Sequence, residues 1–275
     1  PAAPTEAGFY DTPGFSFGVT VAGNYAYVAD YDSGLQVINI SNPAAPVTVG
    51  LYDTTGYAFG VAVAGNYAYV ADDASGLHVI NVATPAAPAL VGTYDTPGNS
   101  RAVVVAGSYA YVGDDNRGLR IINVSTPAAP VETGFYDTSG NTLGVVISGS
   151  RAYIADYEGG LRVINISTPA APVELGSYST LGYAYGVAVA GNYAYVADDL
   201  WGLRVIDVST PATPVEVGMY DSPGAAFGVA VSGSYAYLAD YNGGLRIINV
   251  TTPAAPVETG FYVPSGGAVG VTVAG

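Results

Sequence analysis

Seven tyrosines, Tyr10, Tyr52, Tyr94, Tyr136, Tyr178, Tyr220 and Tyr262, fall 42 residues apart without one insertion or deletion between them. Self-similarity held at one period along a whole chain is the signature of a repeat architecture. Each unit contains four short apolar runs parted by turn chemistry. In the first unit they are "FGVTVAG", "YAYVAD", "GLQVINI" and "PVTVGLYDT", separated by Gly-Asn, Asp-Ser-Gly and Asn-Pro-Ala-Ala-Pro. Runs this short, rich in Val, Ile and Tyr, predict strands. Their nearly continuous apolar character predicts sheets covered on both faces, and four strands in about 40 to 45 residues is the spacing of a propeller blade. No stretch has helical periodicity. The expected fold is an all-β propeller of four-stranded antiparallel blades, a single domain over residues 1–275 with complete blades at about 16–55, 58–97, 100–139, 142–181, 184–223 and 226–263.

Counting strands leaves two over. A fourth strand at 5–12 precedes the first complete blade, and a first strand at 268–275 follows the last, so the two ends are expected to supply an incomplete seventh blade. Two expectations follow. Either the intact polypeptide is longer than 275 residues, or a second copy donates the intervening strands and builds a homo-oligomer by strand exchange, because open sheet edges template strand addition.

Composition narrows the partners. The chain has 22 acids against seven bases, all of them Arg, for a net charge of −15. Nucleic acid phosphates and anionic membrane surfaces would repel it. Only 11% of residues are charged and half are apolar, which supplies a core rather than disorder. Gly, Asn or Asp interrupts every apolar run too early for a bilayer span, so no membrane insertion is expected. The absence of Cys removes disulfides, thiolate nucleophiles and Cys-ligated metals.

The third strands read "GLQVINIS", "GLHVINVA", "GLRIINVS", "GLRVINIS", "GLRVIDVS" and "GLRIINVT", each led by a "YVAD"-like strand and most followed by "TPAAPV". This pattern resembles the LVIVD repeat family, whose name-giving core is closest at Leu203, Arg204, Val205, Ile206 and Asp207. The resemblance implies a four-stranded propeller blade and an extracellular or cell-surface location in bacteria and archaea. It carries over no catalytic residue.

Comparing the six copies with one another sorts positions by face. The "AGN" or "SGS" turns and the "STPAAPVE" turns are nearly invariant, as Pro and Gly in fixed turn geometry should be. The opposite rim, carrying the loops between second and third strands and the blade-to-blade linkers, varies. Among its aromatic and basic residues, Phe15, Phe17, Tyr57, Phe59, Arg101, Tyr183, Tyr185 and Trp201 are expected to surround the channel mouth. Function tends to live on variable loops displayed by a rigid frame. These eight are the candidate ligand-binding residues, suited to sugar rings or a protein anchor; the alternative is a plug of rings filling a channel mouth.

Half of the acids fall in two columns. Asp30, Asp72, Asp114, Asp156, Asp198 and Asp240 end the second strand, and Asp11, Asp53, Asp95, Asp137 and Asp221 end the fourth. Both columns point to the variable rim and predict a solvated, strongly negative surface. The first column is also placed to accept hydrogen bonds from amides of its own tight hairpin. Arg120, Arg162, Arg204 and Arg246, opening the third strand, are placed as bidentate partners for those carboxylates. Blades one and two have Gln36 and His78 instead, together with extra acids, so Asp30, Asp32, Asp72 and Asp73 form the candidate site for a hard cation such as Ca²⁺. Their spacing matches no complete EF-hand loop. No cofactor is otherwise expected.

Catalysis finds little support. The one histidine, His78, lies in a strand column held elsewhere by Arg or Gln, and no Cys or Lys is present. Repeated carboxylates reflect symmetry, whereas a catalytic pair should be unique in its surroundings. The Asn-X-Ser/Thr triplets at Asn39, Asn123, Asn165 and Asn249 meet the N-glycosylation pattern and equally fit a strand-end turn. The expected function is that of a non-catalytic extracellular or cell-surface propeller, a structural or interaction module for adhesion or assembly. Its expected partners are a protein or a glycan. The alternative is a carbohydrate-active or Ca²⁺-dependent enzyme using the acidic, aromatic rim.

Overall fold

The computed structural model describes residues 3–274. Among the described residues, six four-stranded antiparallel sheets account for the 24 strands, each sheet a simple meander in chain order. The first blade is β1 (Gly18–Ala22), β2 (Tyr25–Ala29), β3 (Leu35–Asn39) and β4 (Val47–Tyr52), and the other five repeat it. Strands are five or six residues long. Within each blade the pairing of third and fourth strands shifts register once, between Val37 and Ile38 in the first copy. This is the all-β, six-bladed propeller class with a 42-residue repeat that the periodicity predicts.

The chain forms two compact units, Glu6–Asp137 and Thr138–Gly275 with Pro1–Thr5. In the first, three blades pack face to face. The buried Tyr27, Ala29, Leu35 and Val37 of blade one meet Ala68, Val70 and Ile80 of blade two. Tyr69, Leu77 and Val79 then meet Ala110, Val112 and Ile122 of blade three. The second unit repeats the arrangement, with Tyr153, Leu161 and Val163 against Val196 and Ile206, and Tyr195, Leu203 and Val205 against Leu238 and Ile248. The apolar runs were continuous because each blade buries both faces of its middle strands.

Glycine is required at two places in every blade. Gly23 of the β1–β2 turn and Gly34 of the β2–β3 loop have φ of 59° and 66°, a region closed to most side chains. The strand-end turns use a side chain instead. Oδ1 of Asn39, Asn123, Asn165 and Asn249 accepts the backbone N–H two residues on, an Asx turn with a 2.9–3.0 Å bond.

The expected incomplete seventh blade is not confirmed. Residues 5–12 contain no strand, and in 268–274 the sole pairing is the isolated bridge between Ala268 and Tyr241. Gly275, the last residue of that expected strand, lies outside the described residues. Both segments nonetheless follow the repeat. Gly8 closes on Pro43 as Gly50 closes on Pro85, and Gly228 approaches the Val269 carbonyl as Gly18 approaches that of Phe59. A strand is defined by its ladder, and among the described residues neither segment finds a ladder partner.

Candidate functional site

The second hairpin of each blade fixes the geometry. Its first loop residue sits at positive φ in all six copies: Tyr31, Asp73, Asp115, Tyr157, Asp199 and Tyr241, at 43–52°. Asp tolerates that region well, whereas a bulky ring there is uncommon and costs energy. The loop residue then bridges to the next blade's linker, Tyr31 to Ala58 and Asp73 to Ser100 in one unit, Tyr157 to Ala184 and Asp199 to Ala226 in the other. Two backbone hydrogen bonds of 2.9–3.2 Å make each bridge, so loop and linker are held as one surface.

On that surface of the Glu6–Asp137 unit the rings gather. Tyr31 stacks on Tyr57 with centroids 4.2 Å apart and planes 6° from parallel. Phe15, Phe17 and Phe59 surround Tyr31 at 6.3, 5.7 and 5.5 Å. The Arg101 guanidinium lies 4.2 Å above the Phe59 ring and pairs with Asp73 at 3.3 Å and Asp115 at 3.5 Å. Phe15 is 72% exposed and Tyr57 45%. The rings therefore present apolar faces to solvent and are not a buried plug.

The second unit builds a related cluster without the cation. Tyr157 stacks on Tyr183 at 4.3 Å and 12°, with Tyr185 edge-on to Tyr157 at 5.5 Å and Phe227 beyond it at 4.6 Å from Tyr185. Burial, followed by the neighbouring Tyr157 that accepts its hydroxyl, pushes the Tyr185 phenol up to about 12. Tyr241 lies edge-on to Phe227, and Gly267 lies against its ring where Tyr57 and Tyr183 stand in the other two copies.

Seven of the eight candidate binding residues thus fall into the two clusters. Trp201 does not. It occupies the third loop position, against Gly182 and 5.4 Å from the Arg204 guanidinium. Tyr31, Tyr157 and Phe227, which the sequence reading did not single out, are central to the clusters. A signal for the first two existed: Tyr occurs at 31 and 157 in the same copies that have Tyr at 57 and 183, while Asp73 is matched by Asn99 and Asp199 by Ala225.

The second-strand aspartates correct the picture of a solvated acidic surface. All six are fully buried. Their hydroxyl and backbone-amide donors come from the preceding linker and not from their own hairpin loop. Asp72 accepts the Thr54 hydroxyl at 2.5 Å and the Gly56 N–H at 2.8 Å, and Asp114 accepts Thr96 and Gly98 at 2.6 and 2.8 Å. Asp30 accepts Thr12, Gly14 and Ser16, so its oxygens are already engaged. The recurring hydroxyl-X-Gly after the fourth strand is the source of these bonds, and its glycine is required because any Cβ would strike the aspartate carbonyl. Each aspartate staples the linker that precedes its blade to that blade's second hairpin.

The arginines complete the staple from the other side. Nε of Arg162, Arg204 and Arg246 faces the buried carboxylate at 2.6, 3.4 and 3.6 Å, and Nη1 reaches a fourth-strand glutamate, Glu174, Glu216 or Glu258, at 3.2–3.5 Å. The contact is a bridge between two acids in place of the expected bidentate fork. Arg120 instead joins Asp114 and the exposed Asp137. Blades one and two lose both charges together, with Gln36 and Thr48 in one and His78 and Leu90 in the other. Burial foremost raises the Asp114, Asp198 and Asp240 carboxyls, against the pull of their donors and arginines. Burial lowers His78, against the pull of Asp72 at 3.6 Å.

The candidate cation ligands do not converge. Asp30 and Asp72 are buried in their staples, Asp32 is exposed, and Asp73 turns to Arg101. Among the described residues no three His, Asp or Glu side chains are grouped closely enough to hold a metal ion, and no helix is long and apolar enough to cross a membrane.

Solved structures similar to the chain share the fold at low identity. The β-propeller domain of Myceliophteria thermophila Cps50 (Swd1) aligns at a TM-score of 0.74 and 12% identity over 94% of this chain and 90% of its own. A functionally unknown protein from Desulfotomaculum acetoxidans aligns at 0.78 and 11% over 95% and 89%, and BamB from Moraxella catarrhalis at 0.65 and 13% over 96% and 79%. No match was found among curated proteins. The family model for the LVIVD repeat matches six consecutive stretches, 13–54, 55–96, 97–138, 139–180, 181–222 and 223–263. Six matched repeats, each folded into one four-stranded blade, make this chain a member of the LVIVD repeat family.

Proposed function

We propose that the protein is a non-catalytic binding module of the extracellular space or cell surface, which holds a protein or glycan partner against the aromatic loop surfaces of its blades. One observation carries this reading. On the loop rim, where the copies differ from one another, divergent positions bear solvent-facing rings and the Arg101–Asp73–Asp115 group. Tyr and Phe offer large apolar contact at low entropic cost, and the paired loop and linker hold them in place before a partner arrives. Surface location rests on the family resemblance.

The test is binding of the purified protein to a glycan array and to a panel of cell-envelope polysaccharides and proteins, with and without Ca²⁺, scored for both retention and turnover. Wild-type protein should bind at least one component saturably, and Phe15→Ser with Tyr57→Ser should weaken it at least tenfold. Turnover of a glycan that is abolished by Asp30→Asn or Asp72→Asn would overturn the non-catalytic reading.

A second reading, assembly by strand addition, is favoured by the segments 5–12 and 269–274. Each lies at the position of a blade strand and, among the described residues, forms no strand ladder. Self-association that rises with concentration and is abolished by Val271→Pro would support it.

A further inference from the structure

The two stacked tyrosine pairs have a chemistry that partner binding does not use. Among the described residues, Tyr31–Tyr57 and Tyr157–Tyr183 are the pairs of phenol rings that lie nearly parallel with centroids 4.2 and 4.3 Å apart. At that separation the ring carbons of the two residues are in van der Waals contact. Tyr57 and Tyr183 are 45% and 40% exposed, so an oxidant can reach one ring of each pair directly. The other ring is held at positive φ and pinned by two backbone hydrogen bonds to the linker that carries its partner. The partners therefore cannot drift apart without opening a bridge. Other close tyrosines do not share this geometry: Tyr109 and Tyr111, on one strand, lie 6.5 Å apart and tilted by 57°.

We propose that Tyr31–Tyr57 and Tyr157–Tyr183 are sites of oxidative cross-linking, each pair closing to a dityrosine when a haem peroxidase and hydrogen peroxide supply one-electron oxidation. Each phenol gives up one electron and its hydroxyl proton, and the peroxide takes up the two electrons and two protons of a pair to become two waters. The two phenoxyl radicals couple through one carbon ortho to each oxygen, forming a single C–C bond. Each ortho hydrogen then moves to its own ring's oxygen, restoring both phenols. The product joins the second hairpin of one blade to the linker of the next. In a chain without Cys this is a covalent staple of another chemistry, and like a disulfide it restricts the unfolded chain.

The test treats dilute protein with a haem peroxidase and limiting peroxide, then reads biphenol fluorescence on the monomer fraction, intact mass and peptide maps. The expected product is a monomer lighter by two hydrogens per bond, with linked peptides joining 31 to 57 and 157 to 183. Tyr57→Phe should remove the first link alone and Tyr183→Phe the second alone. Phe preserves the stack, and matching circular dichroism checks that each variant is folded. The oxidised wild type should unfold at a higher denaturant midpoint than untreated protein, and the Tyr57→Phe, Tyr183→Phe double variant should show no such shift. Links spread over exposed but unstacked tyrosines such as Tyr10 and Tyr241, a dominant link between Tyr109 and Tyr111, or fluorescence undiminished in the double variant would each overturn the proposal.

Discussion

Thr54→Val tests the staple that ties one blade to the next. Thr54 is 7% exposed, its hydroxyl donates to Oδ1 of the fully buried Asp72 at 2.5 Å, and residue 58 is Ala, so the linker carries no second hydroxyl at the place Ser100 holds beside Asp114. Valine keeps the shape and deletes the donor. A hydrogen bond to a charged group contributes about 1.5–3 kcal/mol, and a buried acceptor left unpaired adds its own desolvation cost, so the variant should lose about 2–3 kcal/mol. Thr96→Val removes the equivalent bond to Asp114, but there Ser100 Oγ lies 3.4 Å from the same oxygen and can close on it. That variant should lose about 1 kcal/mol less, and adding Ser100→Ala should restore the full loss. The exposed Thr55→Val is the control and should stay within about 0.5 kcal/mol of wild type. Urea unfolding followed in parallel by circular dichroism and Trp201 fluorescence supplies the values, with coincident transitions licensing the comparison. A Thr54→Val protein within about 0.5 kcal/mol of wild type, or a Thr96→Val that costs more than Thr54→Val, would refute the staple.

Acidification should at first stabilise this protein. The folded carboxyls of Asp114, Asp198 and Asp240 are raised above their unfolded values, so the native state takes up their protons first, and the penalty present at neutral pH is relieved as pH falls through the folded pKa values. In the His78→Gln background, a denaturant midpoint that drops as the pH is lowered toward the ordinary carboxyl value of 3.8 would contradict this. His78 works in the opposite sense, because its lowered pKa lets the unfolded chain bind the proton first and costs stability as pH falls below the ordinary 6.5; His78→Gln, the residue of blade one, should therefore gain on wild type as the solution is acidified. A double-mutant cycle on Tyr31→Ala and Tyr57→Ala should return a coupling of about 0.5–1.5 kcal/mol, the usual worth of an aromatic pair, measured by the same unfolding assay. Millimolar Ca²⁺ should leave the thermal midpoint unchanged, since the candidate ligands Asp30, Asp32, Asp72 and Asp73 do not converge.

The strands were legible because the spacing of the repeat is exact: one period of 42 residues sets the order of the 24 strands among the described residues. The two ends were not, because composition reports which residues resemble a strand and cannot report whether a ladder partner exists. The aspartates were legible as buried-turn acids only in part. Their donors sit 14–18 residues upstream, across a blade boundary, and when every copy carries the same Thr or Ser and the same Gly, no variation links one column to the other. The Tyr31–Tyr57 and Tyr157–Tyr183 pairs are the opposite case. There the copies do vary, and Tyr in the second column occurs only where the first column has Tyr, Tyr241 facing Gly267 being the exception to the pairing, so the stack could have been read by comparing columns in pairs.

The most direct test of a rigid scaffold displaying a divergent binding surface is a titration of one captured envelope component against three proteins. These are wild type, Phe15→Ser with Tyr57→Ser, and a variant altered on the invariant β1–β2 turn, Asn24→Ser with Asn66→Ser. Matched affinities for wild type and the turn variant, with at least a tenfold loss for the aromatic variant, are the predicted result. Equal affinities for all three, or an equal loss in both variants, would contradict it.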